Sequence, residues 1–196
     1  MRHLMKILGL LLITISLSFT NPDKKTVIID VGHGGHDAGN TVNGMTEKEI
    51  VLSIAKKIKE LNTNEDLEII LTRNTDQFIS LEDRVKFINS LDADLMISLH
   101  SNAHQTSTPG GHQIFVSNEN KMSERSSAVA ESIKNLLSTN YSVSDIKNAN
   151  FLVLKNSNCP AVMIELGFLT NENDREILNS EAGQDQIART IYQALD

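Results

Sequence analysis

Four side chains stand where an ionisable or polar group needs a partner. Glu165 interrupts the apolar run Val162-Met163-Ile164-Glu165-Leu166-Gly167-Phe168. A carboxylate removed from water there is disfavoured unless a cation compensates or it takes up a proton. His100 closes the run Leu95-Met96-Ile97-Ser98-Leu99, at the point where the chain leaves a core. His33 lies among Gly32, Gly34 and Gly35, whose bare backbone lets a ligand or ion come close. Glu47 opens a helical pattern, which sets it in a first turn beside that glycine-rich stretch. Taken singly, each has a plain structural explanation. A first-turn glutamate complements the helix dipole, a strand-end histidine is hydrogen-bonded, and Glu165 pairs with an arginine such as Arg73 or Arg84. Taken together, two imidazoles and two carboxylates suit catalytic zinc. Two histidines and one glutamate hold such an ion with one position left for water, and a second glutamate is then free to act as general base.

The elements that must bring these groups together follow from hydrophobic period. Residues 27–29 form a β-branched run leading into the glycine-rich stretch 32–39. Thr46-x-x-Glu49 is a capping-box signature, followed at helical spacing by Ile50, Ile54, Ala55, Ile58 and Leu61. Residues 67–71 and 94–99 read as strands, with a helix between them that Ser80-x-x-Asp83 caps. A strand at 112–117 and a long helix at about 123–138 follow. Short strands at 151–154 and 161–164 flank a turn, and one or two helices lie between 171 and 195. Alternating apolar strands and helices predict an α/β fold, an open, mostly parallel twisted sheet of about six strands with helices on both faces. If the second strand pairs on one side of the first and the third on the other, a crevice opens between the first and third at their carboxyl ends, where ligands bind. His33 and His100 each stand just past the end of one of those strands.

Composition narrows the class. The chain has 196 residues, 40% hydrophobic and 22% charged, which fits one globular domain. Its net charge of −7 argues against nucleic acid or an anionic lipid surface held by bulk charge. One cysteine, Cys159, excludes an internal disulfide framework and an all-cysteine metal site. With 4% aromatics and no Trp, little is left for a separate stacking platform. Arg2 and Lys6 precede an apolar run at 7–19, shorter than the roughly 18 residues a bilayer span requires. Residues 1–20 therefore read as a signal peptide, and 21–196 as a single catalytic domain exported to the periplasm or cell exterior, without stable membrane insertion once the signal is removed.

Rival motifs fail in detail. Gly32-x-Gly34 lacks the third glycine of a dinucleotide fingerprint and the Gly-Lys-Ser/Thr ending of a phosphate loop, and no His-Glu-x-x-His is present. His36, His104 and His112 fall in loops or on an alternating strand, where ligation is the weaker reading.

The ordered pieces Ile28-Ile29-Asp30-x-Gly32-His33-Gly34-Gly35-x-Asp37-x-Gly39, Asn43-Gly44-x-x-Glu47-Lys48, Leu71-Thr72-Arg73, Ser80-Leu81-Glu82-x-Arg84, Ile97-Ser98-Leu99-His100-x-Asn102 and Pro160-Ala161-Val162-x-x-Glu165-Leu166-Gly167-Phe168-Leu169 cover essentially all of the domain. In these the chain resembles the zinc-dependent N-acetylmuramoyl-L-alanine amidases of the third amidase type, which cut bacterial peptidoglycan. The resemblance implies one Zn2+ per chain held by His33, Glu47 and His100, with Glu165 as the catalytic glutamate. Asn102 is a candidate substrate contact, with a turn-stabilising side chain as the alternative, and Asp30 or a backbone carbonyl is expected to orient His33. Val31 and Ala38 replace prolines usual in the family, a change expected to loosen the loop slightly. Only 65 positions separate His100 from Glu165, too few for the helix that covers the zinc in some relatives, so an open site is expected. Whether an activator protein is needed is not encoded in these residues. Two other functions fit the same pattern: a non-catalytic peptidoglycan-binding domain, and a zinc peptidase acting on stem peptides.

Overall fold

A computed structural model of the chain describes residues 24–195, so the segment read as a signal peptide lies outside the described residues. In chain order the elements are β1 (Lys25–Val31), β2 (Thr41–Val42), β3 (Met45–Thr46), α1 (Glu47–Glu60), β4 (Leu67–Leu71), α2 (Leu81–Ser90), β5 (Leu95–Asn102), β6 (Gln113–Val116), α3 (Ser123–Leu137), β7 (Lys147–Asn148), α4 (Leu152–Asn156), β8 (Ala161–Phe168), α5 (Glu172–Asn179) and α6 (Glu181–Gln193). Six strands form one sheet in the order β4-β1-β5-β8-β6-β7, and β2 pairs with β3 in a small hairpin. All pairings in the large sheet are parallel except β6 with β8. The second strand, β4, and the third, β5, flank the first on opposite sides, and this order opens the expected crevice at their carboxyl ends.

Alternation along each strand separates two cores. Val27, Ile29, Leu95, Ile97, Leu99, Val162 and Ile164 face the larger one, which α1, α3, α5 and α6 cover. Ile28, Met96, Ala161 and Met163 face the smaller one, covered by Ile88 of α2 and by Val153 and Leu154 of α4. Asp30, Ser98, His100 and Glu165 continue the alternation on this second face. His100 and Glu165 are direct partners in the β5·β8 ladder, and because the strands are parallel their side chains leave the same face as neighbours.

Three local expectations change. The strand expected at 151–154 is the helix α4; the sheet edge is taken instead by β7. An apolar run of four carries no period that separates strand from helix. Here Val153 and Leu154 are buried by helical winding, and the end is tied by the Ser157 hydroxyl donating to the Val153 carbonyl at 2.5 Å. The helix α1 starts where the capping box places it, but the Thr46 hydroxyl donates to the Glu49 carboxylate at 2.5 Å and caps no backbone N–H. Finally, β5 runs through His100 to Asn102, so the histidine ends no strand; a shift in register lies just beyond it.

Candidate functional site

Glu47, 2% exposed, is the first residue of α1 and reaches over the carboxyl end of the sheet. Its Oε1 lies 3.0 Å from His33 Nε2 and 2.9 Å from His100 Nδ1, and accepts the Ser101 N–H at 3.0 Å. Its Oε2 accepts the backbone N–H and the side-chain amide of Asn40 at 2.9 and 3.0 Å. One candidate ligand atom from each of His33, Glu47 and His100 falls within 4.8 Å of the others. Burial works against the charge on Glu47, but hydrogen bonds from His100 and His33 outweigh it and hold the carboxyl well below its ordinary range. For His33, burial favours the neutral ring, while Glu47 and Asp37 together reverse that and raise its pKa.

The glycine-rich loop is shaped around these groups. A Cβ on Gly32 would stand 2.5 Å from His100 Cε1, and one on Gly39 would stand 2.6 Å from Glu47 Oε2. Both contacts are far too close for real atoms, so glycine here is what lets the imidazole and carboxylate lie flush on the backbone. His33 itself has φ 57, a conformation few non-glycine residues adopt. It is held there from two sides. Its Nδ1 is 2.8 Å from Asp37 Oδ2, and its carbonyl accepts from Arg84 Nη2 at 2.6 Å.

The partner of His33 is therefore Asp37, and the expected role of Asp30 is corrected. Asp30 is 1% exposed and its oxygens are used by Thr72, Ser98 and Arg84, at 3.0, 2.8 and 2.8 Å. It touches His33 only through Arg84. Val31 is corrected as well: its N–H donates to Thr72 Oγ1 at 2.9 Å, a bond proline could not make, so the substitution ties the loop to the end of β4. Arg73, 2% exposed, donates to the carbonyls of Val31, Gly32, Lys48 and Thr75, fastening the loop to α1 without any carboxylate. None of these long-range bonds has a sequence signal of its own.

Glu165 lines the same cavity of about 430 Å³ as His33, Glu47 and His100. Its Oε2 is buried and has no hydrogen-bond partner. Burial pushes the carboxyl up to about 7, with the Glu47 charge adding to the rise and the two histidines opposing it. Of the chain between His100 and Glu165, only α4, Phe151 before it and Met163 of β8 reach the cavity, as a side wall. The His33 and His100 side chains keep 22% and 19% of their surface exposed. Asn102 stands apart: its amide donates to Gln113 Oε1 at 3.2 Å, its oxygen accepts the Ala103 N–H at 2.8 Å, and it is not part of the cavity wall. These two bonds hold the turn after β5.

Among the described residues His36, His104 and His112 join no cluster of ligands. His112 is 4% exposed with Nδ1 unpartnered, and burial pushes its pKa down to about 4 against the pull of Asp174 and the Glu165 backbone. Its folded value lies below its unfolded one, so the unfolded chain takes up the proton first as pH falls below about 6.5. Stability is thus expected to drop by about 2 kcal/mol between pH 7.5 and pH 5 on account of this ring. Urea titrations of the parent and His112→Asn at both pH values isolate the effect; equal losses in the two proteins would refute it.

The family model described as N-acetylmuramoyl-L-alanine amidase, Amidase_3, matches residues 27–196. The N-acetylmuramoyl-L-alanine amidase LytC of Bacillus subtilis is 37% identical over 171 residues, which cover 86% of this chain and 34% of LytC. The chain thus spans about a third of that relative's length. The protein YqiI of the same organism is 35% identical over 174 residues, covering 88% of this chain and 84% of its own. The crystal structure of an N-acetylmuramoyl-L-alanine amidase from Clostridium difficile 630 superposes with a TM-score of 0.83 at 34% identity, covering 88% of this chain and 95% of that one.

Proposed function

The chain belongs to the Amidase_3 family of N-acetylmuramoyl-L-alanine amidases, and from that premise we propose that it hydrolyses the amide between N-acetylmuramoyl residues and L-alanine of peptidoglycan stem peptides. The observation that carries the reading is the convergence of His33, Glu47 and His100 on one point, with an unpartnered Glu165 oxygen in the same cavity.

The donor set fits zinc. Two imidazole nitrogens and one carboxylate oxygen are a known catalytic ligand set, and donors about 3.3 Å apart are what tetrahedral bonds of about 2.0–2.1 Å require. His33, Glu47 and His100 would hold one Zn2+. Held there, the ion would supply Lewis-acid chemistry, favouring attack on the scissile carbonyl and making water acidic enough to react near neutral pH.

The chain's own residues do the rest. Glu165, with its pKa near neutrality, takes a proton from the attacking water and passes it to the alanine nitrogen as the C–N bond breaks. The water oxygen ends on the muramoyl carbonyl carbon, giving a carboxylic acid and a free alanine amino terminus. Asn40 and the Ser101 N–H fix the Glu47 carboxylate, and Asp37 fixes the tautomer and tilt of the His33 ring. Partners of this kind typically contribute 10–100-fold in metal affinity. Asp37→Asn is accordingly expected to weaken zinc binding by about 10–100-fold, read by competition with a chromophoric chelator. Unchanged affinity would show that Asp37 does not hold the ring.

Peptidoglycan lies outside the cytoplasmic membrane, so we place the enzyme there, exported by residues 1–20. Within the described residues no helix is long and apolar enough to cross a membrane. Digestion of purified peptidoglycan followed by mass spectrometry tests the assignment. Peptides beginning with alanine and intact glycan are expected. Shortened stem peptides would mean a peptidase, and undigested wall with retained protein a binding domain.

A further inference from the structure

Among the described residues four large hydrophobic side chains are exposed, and three of them, Phe78 (46%), Leu81 (54%) and Phe151 (41%), line the cavity that holds Glu165. Scattered exposed apolar side chains need no explanation, but a group gathered on one rim marks a contact surface. Phe78 lies in the loop before α2, Leu81 opens α2 and Phe151 immediately precedes α4, so the rim has walls from two separate stretches of the chain. Each ring is backed by another. Phe78 packs on His36 with centroids 4.1 Å apart, and Phe151 meets Phe115 edge-on at 5.5 Å. The rings are therefore held in place while each keeps part of its surface open to solvent.

The charges along the cavity say which part of a substrate would lie there. Asp37, Glu47 and Glu165 are in its wall, and Arg84 is the one lysine or arginine side chain among its lining residues. Arg84 is 2% exposed and its donors are taken by Asp30 and by the carbonyls of Val31, His33 and Ile79. Among the described residues no lysine or arginine of the lining is left free to pair with a carboxylate of the stem peptide. A pyranose ring with an acetamido group is neutral and offers C–H faces that stack on aromatic rings.

Resting on the amidase reading above, we propose that the Phe78–Leu81–Phe151 rim is the subsite for the glycan side of the cleaved bond, stacking on the N-acetylmuramoyl ring, while the peptide leaves by another wall. Two of the chain's six phenylalanines are built into the active cavity itself.

The test uses the whole exported domain carrying Glu165→Gln, so that ligand is bound and not consumed. It is titrated by calorimetry with N-acetylglucosaminyl-N-acetylmuramic acid whose lactyl carboxyl is capped as the methylamide and, separately, with the free stem tetrapeptide. The disaccharide is expected to bind. Phe78→Ala, Phe151→Ala and Phe151→Leu, added singly, are expected to weaken it by about three- to tenfold, the range for one aromatic stacking contact, with peptide affinity unchanged. The leucine variant keeps apolar cover over Phe115 and removes only the ring face, so a folding defect cannot account for its loss. Parental affinity in that variant, no disaccharide binding, or a loss falling on the peptide would each overturn the proposal. The two readings fail separately. A parent protein that releases no alanine-terminated peptides from peptidoglycan sinks the amidase assignment and the subsite with it. An active parent whose phenylalanine variants bind disaccharide normally sinks the subsite alone.

Discussion

Glu165→Gln is expected to retain its metal and to lose peptidoglycan hydrolysis by about 10²–10⁴-fold, the usual contribution of positioned acid–base catalysis. The substitution is nearly isosteric, and it removes the one thing the mechanism asks of this residue, a proton accepted and then returned. Glu165 holds none of the groups around it: Oε2 has no hydrogen-bond partner, and the cluster at Glu47 closes without it. Zinc content by metal analysis should therefore match the parent, and the fold should be at least as stable, since a neutral amide replaces a carboxyl that burial already pushes up to about 7. Parental digestion rates in the variant would show that another group moves the proton. Loss of zinc together with activity would show that Glu165 supports the metal.

The largest effect on stability is expected at Arg84. Its guanidinium joins Asp30 to the carbonyls that begin the glycine-rich loop, and both charged side chains are almost wholly buried. Removing one partner of such a pair leaves an uncompensated charge away from water, which typically costs about 3–5 kcal/mol. Arg84→Met should lower the unfolding free energy by about that much, out of a total of about 5–15 kcal/mol for a domain of ordinary stability. Urea unfolding at pH 7.5 measures it. The damage should also reach the site, because the His33 carbonyl loses its donor while the residue sits at positive φ. Arg84→Lys should recover only part, since a single ammonium cannot copy the planar fork that serves Asp30, Val31, His33 and Ile79 at once. A drop below about 1 kcal/mol in Arg84→Met would mean that water or Thr72 satisfies Asp30 in its place.

Much of the site is legible in the order of residues because its members break local patterns. A glutamate within Val162–Phe168 or a histidine after Leu99 stands out from an apolar run, and Glu47 marks the start of a helical period. The crevice is legible too, since strand–helix alternation restricts parallel sheets to a few orders, and β4-β1-β5 is one of them. Where local pattern is ambiguous, it misleads. Residues 151–154 have an apolar run too short to show a period, and only their packing on Met163 and Ile88 in the smaller core selects α4.

What the amino-acid sequence determined by itself is which groups cannot stand alone, because burying a charge or an imidazole without a partner is unfavourable. Which partners answer them was decided in three dimensions. Asp37 rather than Asp30 holds the His33 ring, Arg84 reaches Asp30 across 54 positions, and Phe78 and Phe151 meet one cavity from remote stretches of the chain. Hydrogen bonds and stacking depend on distances of a few ångströms, and such distances between remote residues exist only once the sheet has paired and its helices have packed.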